Sequence, residues 1–536
     1  MNKSFSVAIA RAGACVAVGL LASAAFGQGG TGPRERGEPA KRPTTATGIW
    51  DASCASCHGG NGAGKDGKAK SLLGDALMEQ SLDRPFFDTV TAAKGPHAVA
   101  AGLSEKEAWA LIVHLRELQH NEWRKRVGSP KADKAGVYTS KYAKFKVETV
   151  YDKGLDTPWA VEWLPVVPPP EGAGARGGSA ALPTPARVVV TERDGELNVY
   201  EGTKHLGIVK GLPKLVASGQ GGLMDAAAHP DYAKNGWLYL IFAEANPAGR
   251  GEMTKVVRGK LTESRGSDGA VESLSFTDQR VIFQPHAGDY NGAGVHYGAR
   301  IVFEKPGAGI ADAKGRYYIH FAIGERGGME QAQKIDRPNG KNHRLWDDGA
   351  VPSDNPHALD TGKGVYGSVW SKGHRNQQGV CFDDEGNLWV TEHAPRGGDE
   401  LNLIARGANY GWPQVSFGIN YSDSPFVTPW KEKAADGTPI VMPVYRWIKS
   451  IAACGLDCAR SADVKGTFPA WSGDLFAGGL AGQNVDRLRV KDGKLVEREE
   501  IVHGMGRVRD VAFGPDGFLY LVLNSPDKVV RLVPAK

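Results

Sequence analysis

Five consecutive residues carry the most specific chemistry in this chain: Cys54, Ala55, Ser56, Cys57 and His58. In a C-x-x-C-H segment the two thiols can form thioethers with the vinyl groups of a haem while the adjacent imidazole reaches its iron, which is the attachment of haem c. A bare C-x-x-C would also serve as a disulfide or as half of a zinc site, but no second cysteine pair lies nearby to complete a zinc set. Of the other cysteines, Cys454 and Cys458 stand close enough in sequence for a mutual disulfide to be possible, and Cys381 reads as a buried free thiol at a strand start. No Walker loop, no serine elbow and no G-x-G-x-x-G opening a βαβ unit is found, so nucleotide chemistry and serine hydrolysis have no support.

The elements that must position this chemistry change character along the chain. Residues 1–27 read as a secretory signal, with Lys3 and Arg11 before the apolar stretch Ala12 to Ala25 and small residues ahead of Gln28. The expectation is a periplasmic or secreted protein. Residues 28–46 are rich in Gly, Pro and charge and read as a linker. Structure is expected from about Gly48, and a Ser104–Glu107 capping box opens an amphipathic helix carrying Trp109, Ile112, Val113, Leu115 and Leu118. After a second linker at 123–144 the texture becomes short β-branched and aromatic runs behind Asp-Gly, Asn-Gly and Glu-Gly turns. Arg187 to Tyr200, Trp237 to Ala243, Arg316 to Ile323, Asn387 to Thr391 and Phe518 to Leu523 are the clearest of them. Their spacing over residues 145–536 suits a propeller of four-stranded blades better than one sandwich, with Pro168 to Pro185 as a mobile loop. The net charge of +5 is spread without a basic run, so no nucleic-acid partner is expected, and after the signal no stretch reaches the roughly 18 apolar residues of a membrane span.

Residues 47–122 resemble a class I cytochrome c, on the strength of Cys-His-Gly-Gly-Asn-Gly-Ala-Gly and the closing Leu-Ser-Glu-Lys-Glu helix. The resemblance implies a small all-α unit with His58 as the proximal iron ligand. It also implies a distal Met shortly before the closing helix, where this chain has His97; Met78 is the alternative sixth ligand, and its competing reading is a core residue.

Residues 145–536 resemble the soluble aldose (glucose/sorbosone) dehydrogenases that use pyrroloquinoline quinone. The segments that carry the likeness are Gly219 to Leu223, Gly373 to Gly379, Thr391 to Asn402 and Asn409 to Pro413. The implied fold is mainly β, a six-bladed β-propeller whose quinone lies above a calcium ion in the central channel. His296 matches the general base for the sugar C1 hydroxyl, Glu325 an acidic partner of that base, and Gln220 a polar residue of the sugar pocket. Arg375 and Asn376 match the pair against the quinone carbonyl, and Arg507 and Arg509 match cofactor-binding arginines, two apart on one strand and so facing one side. The backbone carbonyls of Ala394 and Pro395 match calcium ligands. The chain departs from the pattern at Val295, where some relatives carry Asp, and at Ala481, where some carry a Lys on the quinone; His229 reads as a blade-corner residue.

Joined, the two resemblances imply a sugar oxidoreductase with haem c, pyrroloquinoline quinone and calcium, in which hydride lost by an aldose or related alcohol passes on as single electrons to the haem and then to a soluble cytochrome or a respiratory component. The competing reading is an electron-transfer or carbohydrate-binding protein whose propeller has lost its quinone. A propeller lactonase finds no acid-rich metal cluster in the sequence.

Overall fold

The computed structural model describes residues 43–166, 186–304, 315–360, 362 and 364–536. The expected signal, nearly all of the first linker and the insert Pro168 to Pro185 lie outside the described residues. From Thr44 onward the chain forms one compact unit.

Four α-helices precede the strands: α1 (Ala46–Ser53), α2 (Ala55–His58), α3 (Asp83–Ala92) and α4 (Glu105–Val127). The capping box forms as the sequence requires: Glu107 N–H donates to Ser104 Oγ at 3.4 Å and the Ser104 N–H donates to Glu107 Oε2 at 2.8 Å. Helix α4 runs on to Val127, past the expected boundary at 122, because Arg124 is held by Glu500 of the propeller and Gly128, at φ +79°, supplies the left-handed stop. Within the expected second linker, Tyr138–Thr139 pairs as a strand with Phe145 and Lys144.

Six antiparallel sheets follow, five of four strands and one of five. Their inner strands are Pro158–Leu164, Leu223–Ala228, Ile301–Phe303, Gln377–Phe382, Ala453–Cys458 and Arg507–Phe513, one for each blade. The expected strands are present, except that Arg187 to Tyr200 is two strands, Arg187–Glu192 and Leu197–Glu201, folded back on each other, and the six-bladed propeller with its helical N-terminal unit is the observed architecture. Blade six is completed by Lys144–Tyr151, which pairs with Lys528–Pro534 and so closes the ring.

A polar link crosses every seam between neighbouring inner strands. Glu162 accepts from the Ala228 N–H at 3.1 Å, Asp225 from Ile301 at 2.9 Å, Asp457 from Phe513 at 2.8 Å and Asp510 from Val161 at 3.3 Å; at the fourth seam Cys454 Sγ donates to Gln378 Oε1 at 3.2 Å, and Asp399, on the third strand of its blade, accepts from the Ala453 N–H at 3.1 Å. At the third seam the direction reverses, with Arg300 Nε donating to the Gln378 carbonyl at 3.0 Å. Arg300 also pairs with Asp225 and Asp510. Each link to the main chain satisfies a buried backbone group that a propeller's inner rim would otherwise orphan. Burial raises Glu162 to about 8 and Asp510 to about 7, with Arg300 pulling the other way on Asp510.

Cys381, Cys454 and Cys458 are buried free thiols, so no Cys454–Cys458 bridge is formed. Both lie on one extended strand, which separates residues four apart well beyond the ~7 Å limit on Cα spacing in a disulfide.

Candidate active site and haem cavity

Cys54 ends α1, and α2 presents Cys57 and His58 on a single turn. Both thiols are free and partly exposed; burial first, then its neighbour Cys57, pushes the Cys54 thiol up to about 11. They open on a cavity of about 430 Å³ whose walls include Leu72, Phe86, Val90, Leu111 and Leu115. His58 and His97 both line it, their ring planes 8° apart and their centroids separated by 6.4 Å. Two metal–imidazole bonds of about 2 Å each, plus the two ring radii, fill that separation. The residues therefore fit a haem c: two thiols, two facing imidazoles and apolar walls. His58 is held below its ordinary pKa by burial, then by His97, with the Lys70 backbone opposing, which keeps the imidazole neutral as a ligand must be. Met78 ends a 3₁₀ turn and lines a different groove, beside His120, Trp123 and Trp447, away from His58.

The second cluster lies on loops: Gln220, His296 and Arg375 just ahead of the inner strands Leu223–Ala228, Ile301–Phe303 and Gln377–Phe382, and Glu325 just after the strand Tyr318–Ile323. His296 has φ +52°, a conformation few non-glycine residues adopt and one that sites tolerate when their surroundings enforce it. Its N–H donates to Gln220 Oε1 at 2.9 Å and its Nδ1 is hydrogen-bonded to Glu325. Gly324 must be glycine, because a Cβ there would meet the His296 carbonyl oxygen at 2.3 Å. Burial holds His296 below its ordinary pKa; Glu325 pulls it up and Arg375 pushes it down. Imidazole, carboxylate and guanidinium are thus brought together as the sequence expected.

Arg375 is placed from behind: its N–H donates to Glu392, its carbonyl accepts from the Glu325 N–H at 2.8 Å, and its Nη1 donates to the His393 carbonyl at 3.0 Å. Its guanidinium lies 5.5 Å from the ring centre of Trp412. Asn376 Oδ1 accepts from Gly298 at 3.1 Å. Around Arg375 four buried polar atoms have no partner among the described residues: Glu325 Oε2, Asn376 Nδ2, His393 Nε2 and Trp412 Nε1. Buried polar atoms are paired in the great majority of cases, so four together mark a place where a polar ligand fits.

Arg509 Nη1 donates to Gln378 Oε1 at 3.1 Å and its guanidinium lies over Trp159 at 4.2 Å. Its pKa is lowered by burial, with Arg507 adding a smaller push in the same direction, so the two guanidiniums are electrostatic neighbours although Arg507 itself is exposed. The Ala394 carbonyl accepts one long bond, from Tyr421 at 3.3 Å, which leaves it a lone pair for a hard cation, whereas the Pro395 carbonyl already accepts two, from Gly398 at 3.2 Å and Ser450 at 3.4 Å. Val295 turns its carbonyl to Arg326, and Ala481 lines a separate cavity beside Lys449. His229, paired with Asp347 at 3.0 Å, is the corner residue expected.

Two residues of the cluster carry no role in the sequence reading. His393 is driven to about 3 by burial, then by Arg375 and Arg509, and so is a neutral imidazole with a free Nε2. Arg326, 1% exposed, packs on the Tyr297 ring at 3.4 Å and donates to the carbonyls of Val295 and Glu252, which pins the loop before His296. His393 stood inside a segment that carried the family likeness; Arg326 follows Glu325 directly, and only its burial marks it.

The family model described as glucose/sorbosone dehydrogenase matches residues 175–531, and that of the cbb3-type cytochrome c oxidase subunit III matches residues 41–115. The aldose sugar dehydrogenase of Escherichia coli is 34% identical over 397 residues, spanning 73% of this chain and 94% of that protein. Its crystal structure in the apo form superposes with a TM-score of 0.57 at 32% identity, covering 73% of this chain and all of that one. The quinoprotein glucose dehydrogenase B of Acinetobacter calcoaceticus is 30% identical over 228 residues, 38% of this chain and 43% of that protein. A propeller in which His296, Glu325 and Arg375 meet, matched along most of its length, places this chain among the oxidoreductases of the glucose/sorbosone dehydrogenase family, with a cytochrome c-type unit at the N-terminal side of the propeller.

Proposed function

We propose that the chain is an exported quinohaemoprotein that oxidises an aldose at C1 and passes the electrons to its own haem c. The observation that carries this reading is the group of four unpartnered polar atoms around Arg375, set against the His296–Glu325 pair. Pyrroloquinoline quinone would supply the hydride acceptor there, and haem c the one-electron carrier.

The residues of this chain divide the remaining work. Glu325 takes the Nδ1 hydrogen of His296 and thereby leaves the Nε2 lone pair free for the proton of the C1 hydroxyl. Burial keeps that imidazole neutral, which a base must be before it acts. Arg375 and Asn376 would stabilise negative charge on an oxygen of a bound acceptor, and their own hydrogen bonds fix them beforehand. Neutral His393 and Trp412 add polar contacts without adding charge. Arg507 and Arg509 balance an anionic cofactor, and the carbonyls of Ala394 and Pro395 would hold calcium. Gln220 binds the His296 backbone through Oε1, so its amide nitrogen is the part left for the sugar. His58 and His97 would both be available to hold the haem iron.

No helix among the described residues is long and apolar enough to cross a membrane. A soluble cytochrome or a respiratory component would then take electrons from the haem, consistent with a periplasmic or secreted site of action. The test adds quinone and calcium to the purified protein with a panel of aldoses while the haem α-band is followed. Reduction that requires quinone is the expected result; none with any sugar would leave an electron-transfer or carbohydrate-binding protein.

A further inference from the structure

The cytochrome-type unit is bound to the propeller as a domain core is bound to itself. Buried Asp83 receives Arg116 from its own unit at 2.7 Å and Arg446 from blade four. Arg396 of the propeller donates to Glu117 of α4 and to Asp423, each at 2.8 Å. At the start of α1 the Ala46 N–H donates to the Asp423 main-chain carbonyl at 2.7 Å and the Thr47 N–H to the Asp423 carboxylate at 2.9 Å, where the helix end favours a negative charge. Between these ion pairs the seam is apolar: Trp109, wholly buried, donates to the Phe417 carbonyl at 3.2 Å and meets Trp430 edge-on at 4.8 Å. Domains that move against each other meet through more polar surfaces.

We propose that this docking is permanent and that electrons cross it where α4 meets the loop 394–397, an inference that rests on the quinone reading above. Leu111, Ile112 and Leu115 of α4 wall the haem cavity. On the same helix Val113 lies against Gly397, where a Cβ would come within 2.8 Å of Val113 Cγ1. Gly397 is two residues beyond Pro395, whose carbonyl belongs to the cation site. Ile112 also shares an apolar cluster with Ile419, and the Ile419 N–H donates to the Arg396 carbonyl at 2.9 Å. Helix α4 therefore borders both the cavity at His58 and the propeller loop that carries Pro395.

The electron count sets the sequence. The C1 hydroxyl loses its proton to His296 and C1 loses hydride, so each aldose leaves as a lactone and deposits two electrons in the propeller. The ferric haem takes one electron at a time across the seam and becomes ferrous. A one-electron acceptor, such as ferricyanide or a ferric cytochrome, must reoxidise it once before the second electron follows and once after.

Two measurements test the proposal. In stopped-flow mixing of quinone-loaded protein with an aldose, the rate of haem reduction should not change on dilution of the protein. Val113→Ala should slow it several-fold with the haem spectrum unchanged, and Val113→Thr, of the same shape, should retain it. In solution scattering of the protein without quinone, the wild type should be compact and Asp83→Asn/Arg446→Met extended; Glu117→Gln/Arg396→Gln serves if the buried pair prevents folding. A reduction rate that rises with protein concentration, or a wild type already as extended as the variants, overturns permanent docking. Val113→Ala at the wild-type rate overturns the crossing point. Absence of any sugar-driven haem reduction sinks the quinone reading instead and leaves scattering to decide the docking.

Discussion

The two candidate cofactor sites are built by opposite means. The haem cavity is walled by Leu72, Phe86, Val90, Leu111 and Leu115, with two imidazoles and two thiols as its reactive groups. The propeller site is a net of polar groups, each held by another: Glu325 by Arg375, Arg375 by Glu392 and His393, His296 by Gln220. A group fastened by covalent bonds and metal ligation needs only a dry wall around it. A group held by charge and hydrogen bonds needs donors and acceptors fixed before it arrives, since partly satisfied polar networks are costly in a buried place. One site should therefore fail at single attachment atoms, and the other by degrees as its net is cut.

The largest effect should come from Cys57→Ser, which removes one of the two attachment points. Two-thioether haem, read from the pyridine haemochrome spectrum after acid acetone extraction, should be abolished, and unchanged covalent haem would refute the attachment. Next is His296→Ala, expected to lower turnover by about a hundredfold or more while quinone binding, measured separately by titration, persists. Glu325→Gln should cut less and move the profile: Glu325 raises the His296 pKa, so its loss lowers that pKa further and shifts the acidic limb of kcat/KM to lower pH. An unmoved limb would mean that Glu325 does not face the working base. In the haem cavity, His97→Ala should convert a low-spin spectrum to high-spin and Met78→Leu should not, the reverse pattern assigning the ligand to Met78.

The smallest effect tests the propeller's inner rim. Glu162 is raised by burial to about 8, so the folded state holds its proton at pH values where the unfolded chain releases it. Its contribution to stability is full below the unfolded pKa and is lost as pH rises toward 8. Glu162→Gln keeps an oxygen for the Ala228 N–H and has no proton to lose. Its melting temperature should match the wild type near pH 4 and exceed it at pH 8; parallel curves would show that Glu162 is ionised in place.

The same contrast governs what the sequence discloses. Haem attachment is local, so C-x-x-C-H and the Ser104–Glu107 box are read without knowing the fold. Strands are legible from alternation and turns, and the length of the β region suggests blades. The propeller site draws on Gln220, His296, Glu325, Arg375 and Arg509, which no spacing rule connects; only the family likeness gathers them. Arg326 and His393 stay silent in the sequence because their roles come from burial, and an arginine or histidine in a loop shows no sign of it. The link at each blade seam is equally hidden, since an acid inside a strand pattern looks like a solvent-facing residue until the neighbouring blade is in place.

The pairing of Lys144–Tyr151 with Lys528–Pro534 has a consequence for biosynthesis. As the chain emerges from the ribosome, the strand at 144–151 must wait with a bare edge while five blades are made, because its partner follows all of them in the chain. Truncation within blade six would leave that edge open for good, and open strand edges recruit other chains. A nonsense mutation near the C-terminus should thus yield an aggregating product even where every residue around His296 and Arg375 has been synthesised.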